Sequence, residues 1–528
     1  GVAVMKKNAT KQNNYFKLPN PGLRAYFDHV KNGQSEEYRT PFYKGKSLET
    51  ICEEWDKTLS SINDQWPSLY EFESDLRKKV GPMSIMKPLS ERLDDIDSYY
   101  DSILLESEPI SDQALNAVLS EFRKIHGLRA RSYEATVDNM KKSTNSGNPY
   151  FTKRRLVVKD TLPLTIHHED DGTVIQTLRG SQWLSCAVLG WRGQEGGPQI
   201  DDVKQRVVWM FPFAVNIAEL SVYQPLITAC QKANLVPAWV SMDAVDKRIT
   251  DMFDTKGPDD VVICTDFSKF DQHFNTSCQD GAYTILQNLF SGDRAIDDWL
   301  NNVFPIKYDI PLAIQMDDIR TGKHGMGSGS GGTNADETLV HRALQYEAAM
   351  NAGSVLNPNS QCLGDDGVLT FPGCSVEDVI DTYTRHGLEM NSDKQYVSKL
   401  DCTYLRRWHH KDYRIDGICA GVYSTMRALG RLAEQERYYD PEVWGPKMVA
   451  LRELSILENC KFHPLREQFA DYCMKGDKYR LGCDIPGFLD NIDKEAKKAI
   501  DYMPDFLGYT KTLQADGDRD LKIGLSSW

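Results

Sequence analysis

Two adjacent aspartates, Asp365 and Asp366, lie between short apolar segments that have the composition of β-strands. Asp-Gly between two such segments indicates a β-hairpin, so both carboxylates are expected at the tip of a tight turn. Two carboxylates on a rigid turn repel each other and lose hydration, and a bound divalent cation would offset that cost. The pair therefore suggests a metal site, although most Asp-Asp-Gly turns are simply solvated loops.

A second acidic pair follows a predicted buried strand at 260–266. Asp266 ends that strand, and Asp271 comes five residues later. If the chain forms a helical turn after Asp266, the carboxylates of Asp266 and Asp271 can face the same pocket from different positions along the chain. One could then hold a metal ion while the other contacts a neighbouring group. The spacing alone is a weak signal, because it recurs by chance in acidic chains.

A glycine-rich segment spans residues 321–332, where six of twelve residues are glycine, against 37 in the 528 residues of the chain. Glycine permits close backbone approach, and the N–H groups of such a loop, with Ser328 and Ser330, could hold phosphates or a sugar. A helix that begins near Thr333 and Asn334 would add its N-terminal dipole. The alternative is a flexible linker, but the position between predicted structured segments favours binding.

Three cations are candidates for contacts with phosphate groups. Lys204 and Arg206 alternate on a predicted strand, so their side chains share one face, and two fixed cations suit a triphosphate. A solvent-exposed strand face would show the same pattern. Lys394 lies where a strand is predicted to start after a helix, and it could donate a proton to a leaving group.

Composition limits the class of protein. A chain of 528 residues exceeds one ordinary core, so several subdomains or one large architecture are expected. No apolar run approaches the length of a membrane span. The twelve cysteines contain no Cys-x-x-Cys pair, which argues against zinc knuckles and thioredoxin-type sites and favours buried free thiols.

The net charge of −14 would argue against a nucleic-acid partner if it were evenly spread. Residues 121–160, however, carry ten Lys and Arg against four acidic residues. An acidic exterior with a locally basic channel suits a protein that holds a polyanion inside. A solvated charged face explains the same pattern equally well.

The order of predicted elements indicates an α+β core, in which a small sheet is covered by helices. Strands are predicted at 155–159, 205–210, 260–266, 360–371 (a hairpin) and 395–408. Helices are predicted near 47–62, 110–126, 214–233, 276–304, 334–351 and 375–387, and from about 425 onward.

Taken in chain order, these segments resemble the successive motifs F, A, B, C, D and E of viral RNA-dependent RNA polymerases. The matching segments are Lys204-Gln-Arg206 (end of F), Asp266-Phe-Ser-Lys-Phe-Asp271 (A), Ser328-Gly-Ser-Gly-Gly-Thr333 (B), Gly364-Asp365-Asp366 (C), Lys394 (D) and Tyr404-Leu-Arg-Arg407 (E). Ser146-Gly147-Asn-Pro149-Tyr150 is similar to the template-channel motif G. The ordered set is far more specific than any one motif. Within the family, it most resembles the polymerases of picobirnaviruses, which are double-stranded RNA viruses.

The resemblance implies template-directed RNA synthesis that replicates and transcribes a viral double-stranded RNA genome. It also implies a right-handed fold of fingers, palm and thumb, with a small antiparallel palm sheet flanked by helices. The expected boundaries are 1–70 for an N-terminal extension, 71–219 for the fingers, 220–276 for the first part of the palm, 277–324 for a fingers insertion, 325–424 for the rest of the palm, and 425–528 for the thumb and C-terminal tail.

Residue roles follow from the same resemblance. It implies two Mg²⁺ ions, for which Mn²⁺ could substitute, bound by Asp266 and Asp365 with help from Asp366. One ion would activate the primer 3′-hydroxyl and the other would neutralise the triphosphate and the leaving pyrophosphate. Lys394 would be the proton donor to that leaving group.

The nucleotide and the template are assigned further residues by the resemblance. Lys204 and Arg206 would hold the triphosphate, and Asp271 would accept a hydrogen bond from the ribose 2′-hydroxyl. The sugar pocket would be completed by Ser328, Thr333 and Asn334, and the template channel would include Ser146 and Gly147.

One position departs from the family pattern. Many relatives carry Asn four residues after the motif B threonine, where this chain has Glu337. An ionised glutamate cannot donate a hydrogen bond and would repel Asp271. Either Glu337 is protonated or turned away, or Asn334 takes the role of that amide. Gly327 also replaces a common proline, which should loosen the loop.

The implied partners are a single-stranded RNA template, a double-stranded RNA product, ribonucleoside triphosphates and a viral capsid protein, with no membrane. The expected location is the virion interior or the host cytoplasm. Three other classes of protein share part of this pattern: a reverse transcriptase, a two-metal nuclease, and an RNA-binding scaffold of the virion without catalysis. The intact acidic residues oppose the scaffold, and a nuclease needs no triphosphate-binding strand.

Overall fold

The computed structural model describes residues 6–7, 15–16, 21–177, 182–440 and 442–499 of the chain. The chain divides into two compact units, each built from three stretches of sequence. The first unit contains Gly1–Asn32, Pro88–Trp191 and Val207–Cys402, and the second contains Gly33–Lys87, Arg192–Arg206 and Thr403–Trp528. The predicted C-terminal tail lies outside the described residues. The boundaries expected for fingers, palm and thumb stay predictions.

The helices are named in chain order. They are α1 (Pro21–Asn32), α2 (Leu48–Leu59), α3 (Pro67–Arg77), α4 (Leu93–Asp101), α5 (Asp112–Glu121), α6 (Tyr133–Asp138), α7 (Val158–Thr161), α8 (Phe213–Ala233), α9 (Pro237–Val240), α10 (Met242–Thr255), α11 (Phe270–His273), α12 (Thr276–Leu289), α13 (Arg294–Asn302), α14 (Thr333–Asn351), α15 (Val376–Arg385), α16 (Thr425–Ala433), α17 (Pro446–Glu458), α18 (Arg466–Gly476) and α19 (Ile492–Ala499). In the part of the chain that the structure describes, no helix is long and apolar enough to span a membrane.

The strands are named in the same way. They are β1 (Lys6–Lys7), β2 (Tyr38–Arg39), β3 (Leu164–Glu169), β4 (Gly172–Thr177), β5 (Gln182–Leu184), β6 (Ala187–Gln194), β7 (Lys204–Met210), β8 (Val262–Thr265), β9 (Leu312–Gln315), β10 (Asp318–Thr321), β11 (Gln361–Leu363), β12 (Asp366–Leu369), β13 (Tyr396–Ser398), β14 (Asp401–Tyr404), β15 (Arg407–His410), β16 (Arg414–Ile415), β17 (Ile418–Cys419), β18 (Val422–Tyr423) and β19 (Glu434–Gln435).

A four-stranded antiparallel sheet forms the centre of the first unit, with the strand order β11-β12-β8-β13. All four residues of β8 are buried, which explains the continuous apolar run in the sequence. Helix α14 packs against β11 and also contacts α5, α12 and α15. Because α14 is covered on several sides, most of its residues are buried. The predicted α+β core, a small sheet covered by helices, is confirmed.

The strands between 164 and 194 and those between 312 and 321 were not predicted from the sequence. One of the two sheets that they enter has the order β1-β10-β9-β6-β7, and the other has the order β3-β4-β5. Burial alternates along β3, from buried Leu164 to exposed Glu169. The alternation has the period of two that is typical of a strand. In the sequence it is hidden by the run of polar residues His167, His168, Glu169 and Asp170.

The strand predicted at 155–159 is wrong. The segment forms a short 3-10 helix, Arg154–Leu156, followed by α7. Val157 is buried among Phe213, Ile217 and other apolar side chains, and its carbonyl accepts a hydrogen bond from Thr161. Local β propensity is therefore overridden by packing, as is common for short apolar runs.

The second unit has a helical core in which a carboxylate is fully buried. Glu73 of α3 accepts hydrogen bonds from the hydroxyls of Ser424 and Thr425 and, at 3.1 Å, from the backbone N–H of Thr425. His463 Nε2 lies 3.1 Å from the same carboxylate. Burial opposes the ionised form, but these hydrogen bonds outweigh it, so the pKa of Glu73 is lowered. The group thereby caps the N-terminus of α16.

The cysteines agree with the expectation of free thiols. None of the twelve cysteines forms a disulfide bond, and all except Cys483 are buried.

Candidate active site

The acidic residues predicted to bind metal lie at one end of the four-stranded sheet. Gly367 of β12 pairs with Thr265 of β8, so the next pair in this register is Asp366 with Asp266. Asp365 immediately precedes Asp366 in the turn of the hairpin. Asp266 and Asp365 are exposed, whereas Asp366 is half-buried. The sheet therefore brings Asp266 close to Asp365 and Asp366, which lie far from it in the sequence.

The predicted hairpin is confirmed, but the turn is displaced from the Asp-Gly pair. Its two central residues are Gly364 and Asp365, and Asp366 pairs with Leu363 as the first residue of β12. The expectation that both aspartates occupy the tip is wrong. Gly364 takes a φ of +57°, which suits glycine at the first position of a two-residue turn. Asp366-Gly367 is part of the strand instead.

Gln395 holds the backbone of Asp266 and was missed in the sequence. Its side-chain Oε1 accepts a hydrogen bond from the N–H of Asp266 at 2.8 Å, and its Nε2 donates to the Asp266 carbonyl at 2.8 Å. The neighbouring Lys394, the predicted proton donor, is exposed in the short 3-10 helix Ser392–Lys394. Its catalytic role stays a prediction.

Two side chains of α14 hold the peptide groups of Gly364. Thr338 Oγ1 accepts a hydrogen bond from the Gly364 N–H at 2.9 Å, and His341 Nδ1 lies 2.8 Å from the Gly364 carbonyl oxygen. Burial lowers the pKa of His341 to about 4, so the imidazole is neutral near pH 7. The turn that carries Asp365 is therefore attached to the helix that follows the glycine-rich loop.

The glycine-rich loop is packed rather than flexible. Met326 is fully buried, and its N–H donates to the carbonyl of Asp271 at 2.8 Å. A Cβ on Gly325 would overlap the same carbonyl oxygen, so glycine is required there for the close approach of the two segments. The loop thus fixes the position of Asp271, and the alternative of a flexible linker is wrong.

Hydroxyl groups of the loop are directed inward. Thr333 Oγ1 lies 3.2 Å from the carbonyl of Ser330 and 3.3 Å from those of Gly327 and Ser328. The hydroxyl of Ser330 donates to Glu219. Ser328 Oγ is within 3.4 Å of backbone groups of β7. These contacts shape the loop, and the sugar contacts predicted for Ser328 and Thr333 stay predictions.

A buried ion pair lies beneath the loop. Lys307 Nζ is 3.0 Å from Asp336 Oδ2, and both side chains are fully buried. The hydroxyls of Tyr223 and Tyr308 donate to the same carboxylate at 2.7 and 2.6 Å. Four aromatic ring centroids lie 3.8 to 5.9 Å from the ammonium group. Burial lowers the pKa of Lys307, although Asp336 opposes this effect. The carbonyl of Lys307 accepts from the Gly327 N–H at 3.0 Å, which joins the pair to the loop.

Glu337 lies beside Asp271 and is not turned away. Burial, followed by the charges of Asp271 and Asp365, raises the pKa of Glu337 well above its usual range, and a hydrogen bond joins Glu337 to Asp271. The side-chain Oδ1 of Asn334 accepts a hydrogen bond from the Trp239 indole N–H at 2.7 Å. Of the alternatives left open by the sequence, a protonated Glu337 fits these contacts.

The acidic cluster suits a divalent cation in its chemistry. Carboxylate oxygens are the ligands that Mg²⁺ prefers. Asp271 and Asp365 add to the effect of burial in raising the pKa of Glu337, and a cation would offset the negative charge of these two carboxylates. Within the described ranges, no three His, Cys, Asp or Glu side chains already converge as a metal cage. The donor set therefore fits Mg²⁺ chemically, without a closed site formed in advance.

The remaining predicted residues belong to other segments of the chain. Lys204 and Arg206 are exposed at the start of β7, on the same face as expected. Ser146 is buried, and its carbonyl accepts a hydrogen bond from the N–H of Phe213 at 2.8 Å. The Gly147 N–H donates to Asn145 Oδ1 at 2.7 Å. Their roles toward nucleotide and template stay predictions.

An antiparallel sheet with Asp266 at the end of one strand, an Asp-containing hairpin beside it and a glycine-rich loop packed on Asp271 defines a palm-type polymerase. The sequence pattern of the viral RNA-dependent RNA polymerase family matches residues 34–462. The chain belongs to this family.

Individual relatives agree with the family match. A potential RNA-dependent RNA polymerase of human picobirnavirus (strain Human/Thailand/Hy005102/-) is 67% identical over 516 residues, which are 97% of this chain and 96% of the relative. The crystal structure of the RNA-dependent RNA polymerase of a human picobirnavirus has a TM-score of 0.93 and 66% identity, and the match covers 98% of this chain and 97% of that one. A mutant of such a polymerase, with its insertion loop deleted, has a TM-score of 0.91 and 65% identity, with 96% and 98% covered.

These comparisons confirm the predicted resemblance, polymerase fold and activity. The protein is an RNA-directed RNA polymerase, which is a nucleotidyltransferase, and it acts on an RNA template and nucleotide substrates. The reverse transcriptase, nuclease and scaffold alternatives are set aside.

Proposed function

We propose that Asp266 and Asp365, assisted by Asp366, hold two Mg²⁺ ions for nucleotidyl transfer, and that Mn²⁺ can replace Mg²⁺. The observation that carries this proposal is the pairing of β8 with β12. Its last pair is Gly367 with Thr265, so Asp366 and Asp266 are the next residues on the two strands and face each other at the end of the sheet. When bound, the ions supply Lewis-acid activation of the primer 3′-hydroxyl and charge neutralisation of the triphosphate.

Selection of ribonucleotides is proposed to depend on Asp271 and Glu337. The protonated Glu337 donates its hydrogen to Asp271, and this orients the free carboxylate oxygen of Asp271 to accept the ribose 2′-hydroxyl. Met326 and the loop hold the backbone of Asp271 in place. Glu337 thereby does what an amide does in many relatives, with a carboxylic O–H as the donor.

The other predicted residues complete this proposal. Lys204 and Arg206, both exposed on one face of β7, bind the triphosphate. Lys394, which is exposed and directly precedes Gln395, protonates the leaving pyrophosphate. The sugar contacts are assigned to Ser328, Thr333 and Asn334, and the template channel to Ser146 and Gly147.

The biological setting is proposed from the family. The protein replicates and transcribes a double-stranded RNA genome from single-stranded templates. It works inside the virion or in the host cytoplasm, in contact with a capsid protein. What supports this setting is the similarity to picobirnavirus polymerases.

Asp365→Asn tests the metal site, because it removes charge without changing shape. Incorporation of labelled ribonucleotides and deoxyribonucleotides on a single-stranded RNA template with Mg²⁺ is compared for the variant and the wild type. We expect synthesis from ribonucleotides only, which Asp365→Asn abolishes, with an unchanged melting temperature. The control is Asp297→Asn, an exposed change on α13. Equal synthesis by Asp365→Asn and wild type would refute the assignment.

A further inference from the structure

We propose that His341 is a positioning residue that sets the separation between Asp266 and Asp365, and thereby the affinity of the site for a divalent cation. His341 is fully buried on α14 and contacts both acidic segments. The inference rests on the metal-binding role proposed above for the two aspartates, and it adds a residue that no motif assigned.

On the side of the hairpin, His341 fixes the turn through a hydrogen bond. A carbonyl oxygen only accepts, so Nδ1 of His341 carries the hydrogen and donates to the Gly364 carbonyl at 2.8 Å. One turn earlier on α14, Thr338 Oγ1 accepts from the N–H of the same glycine at 2.9 Å. Both polar groups of the residue before Asp365 are therefore held by one helix.

On the side of β8, the ring of His341 makes contact through packing. The ring of Phe267, which follows Asp266 directly, lies edge-on to it at 5.4 Å between centroids. Tyr383 stands edge-on at 5.9 Å and is itself stacked on Phe267 at 5.7 Å. The imidazole thus packs against Phe267, the residue that directly follows Asp266.

Glycine at position 367 shows how closely the ring approaches β12. A Cβ there would lie 2.6 Å from Cε1 of His341, which is too close for any other residue. His341 therefore fills the space between the hairpin and the Asp266 segment, while its hydrogen bond fixes the register of the turn. Because Mg²⁺ tolerates little departure from its ideal ligand distances, a shift of either segment weakens the site.

Two variants of His341 separate the two contacts of its ring, and a third variant tests the neighbouring hydrogen bond of Thr338. His341→Phe keeps a ring of similar size but removes the donor to Gly364, whereas His341→Asn keeps an N–H near the position of Nδ1 but removes the ring. Thr338→Val removes the acceptor of the Gly364 N–H and keeps the shape. The matched control is Thr382→Val, which removes a hydroxyl that accepts a hydrogen bond from Asn351 at 3.1 Å elsewhere in the first unit.

The experiment measures Mn²⁺ binding to the full chain by electron paramagnetic resonance, without nucleotide or RNA. The Mg²⁺ concentration for half-maximal RNA synthesis and the melting temperature are measured in parallel. We expect His341→Phe and Thr338→Val each to weaken Mn²⁺ binding by about tenfold or more and to raise the Mg²⁺ requirement accordingly. The rate at saturating Mg²⁺ should fall much less, and Thr382→Val should bind Mn²⁺ as the wild type does.

Wild-type Mn²⁺ affinity in folded His341→Phe and Thr338→Val would overturn the inference, as would an equal loss in Thr382→Val. If His341→Phe does not fold, Thr338→Val decides the question. Asp365→Asn distinguishes failure of the proposed metal site from failure of the positioning role of His341. If it binds Mn²⁺ normally, the proposed metal site itself is wrong. If it loses Mn²⁺ while the His341 variants do not, only the positioning role fails.

Discussion

The side-chain amide of Gln395 bonds both backbone polar groups of Asp266, accepting from its N–H and donating to its carbonyl, each at 2.8 Å. Asp266 follows the last residue of β8, where the ladder of the sheet ends. The Gln395 amide thus extends the hydrogen bonding of β8 by one residue, and it holds the backbone of Asp266 in place through protein groups alone.

Replacing Gln395 should therefore reduce catalysis more than stability. Gln395→Leu preserves the approximate size and removes both hydrogen bonds to Asp266. We expect kcat to fall by roughly tenfold, as for other residues that orient a metal ligand, with a small change in melting temperature. Steady-state RNA synthesis at saturating nucleotide measures the effect. The control is Gln315→Leu, which removes a single bond to the carbonyl of Phe27; an equal effect of both variants would contradict the prediction.

Glu337 is expected to act through its proton. Glu337→Gln keeps a hydrogen-bond donor toward Asp271, whereas Glu337→Ala removes it. The glutamine variant should retain the preference for ribonucleotides, and the alanine variant should lose roughly tenfold of it, the value of one hydrogen bond. The ratio of kcat/KM for ribonucleotides and 2′-deoxynucleotides is the measurement. Unchanged selection by Glu337→Ala would rule out this role.

The buried pair of Lys307 and Asp336 is expected to show strong coupling. Lys307→Met leaves Asp336 charged beside two tyrosine hydroxyls, and such a loss of one partner costs about 3–5 kcal/mol. Asp336→Asn leaves the ammonium group without its counterion in the same way. The double variant should lose less than the sum of the two, measured by urea unfolding. Strictly additive losses would show that the pair is not coupled.

The second unit should lose stability as the pH rises. Burial and the neighbouring Asp477 raise the pKa of Glu453 to about 9 in the folded protein, from an ordinary value of 4.5. The folded state therefore holds a proton that the unfolded state releases, so this contribution is complete below pH 4.5 and is lost as the pH rises toward 9.

Glu453→Gln removes this pH dependence, because glutamine stays neutral. Its melting temperature should exceed that of the wild type at pH 8, and the difference should shrink toward pH 5. The control is Glu467→Gln, an exposed change on α18, which should give the same difference at both pH values. A constant difference for Glu453→Gln would contradict the assignment. Calorimetric scans at several pH values provide the data.

Local patterns were sufficient to predict the main elements of the site. The apolar run before Asp266 and the hairpin around Asp365 each predicted a strand, and the sheet joins them. The loop and the start of α14 were also visible, because glycine and Thr333 mark them in the sequence.

The residues that orient these groups could not be predicted in the same way. Gln395, His341 and Trp239 carry no distinguishing signal of their own, because their partners are supplied by distant parts of the chain. Lys307 looks like an ordinary surface lysine until folding encloses it in aromatic rings. The error at 155–159 has the same origin, since packing against Phe213 rather than local preference decides its conformation.

The buried carboxylate of Glu73 has a consequence for synthesis on the ribosome. Glu73 is made 351 residues before Ser424, and His463 follows later still. Until those donors emerge, the carboxylate must remain in water, so the core of the second unit cannot close around it. The first unit, whose last stretch ends at Cys402, can be completed earlier. A nascent chain is therefore expected to pass through a stage in which Asp266, Asp365 and Asp366 are already assembled while the second unit is still open.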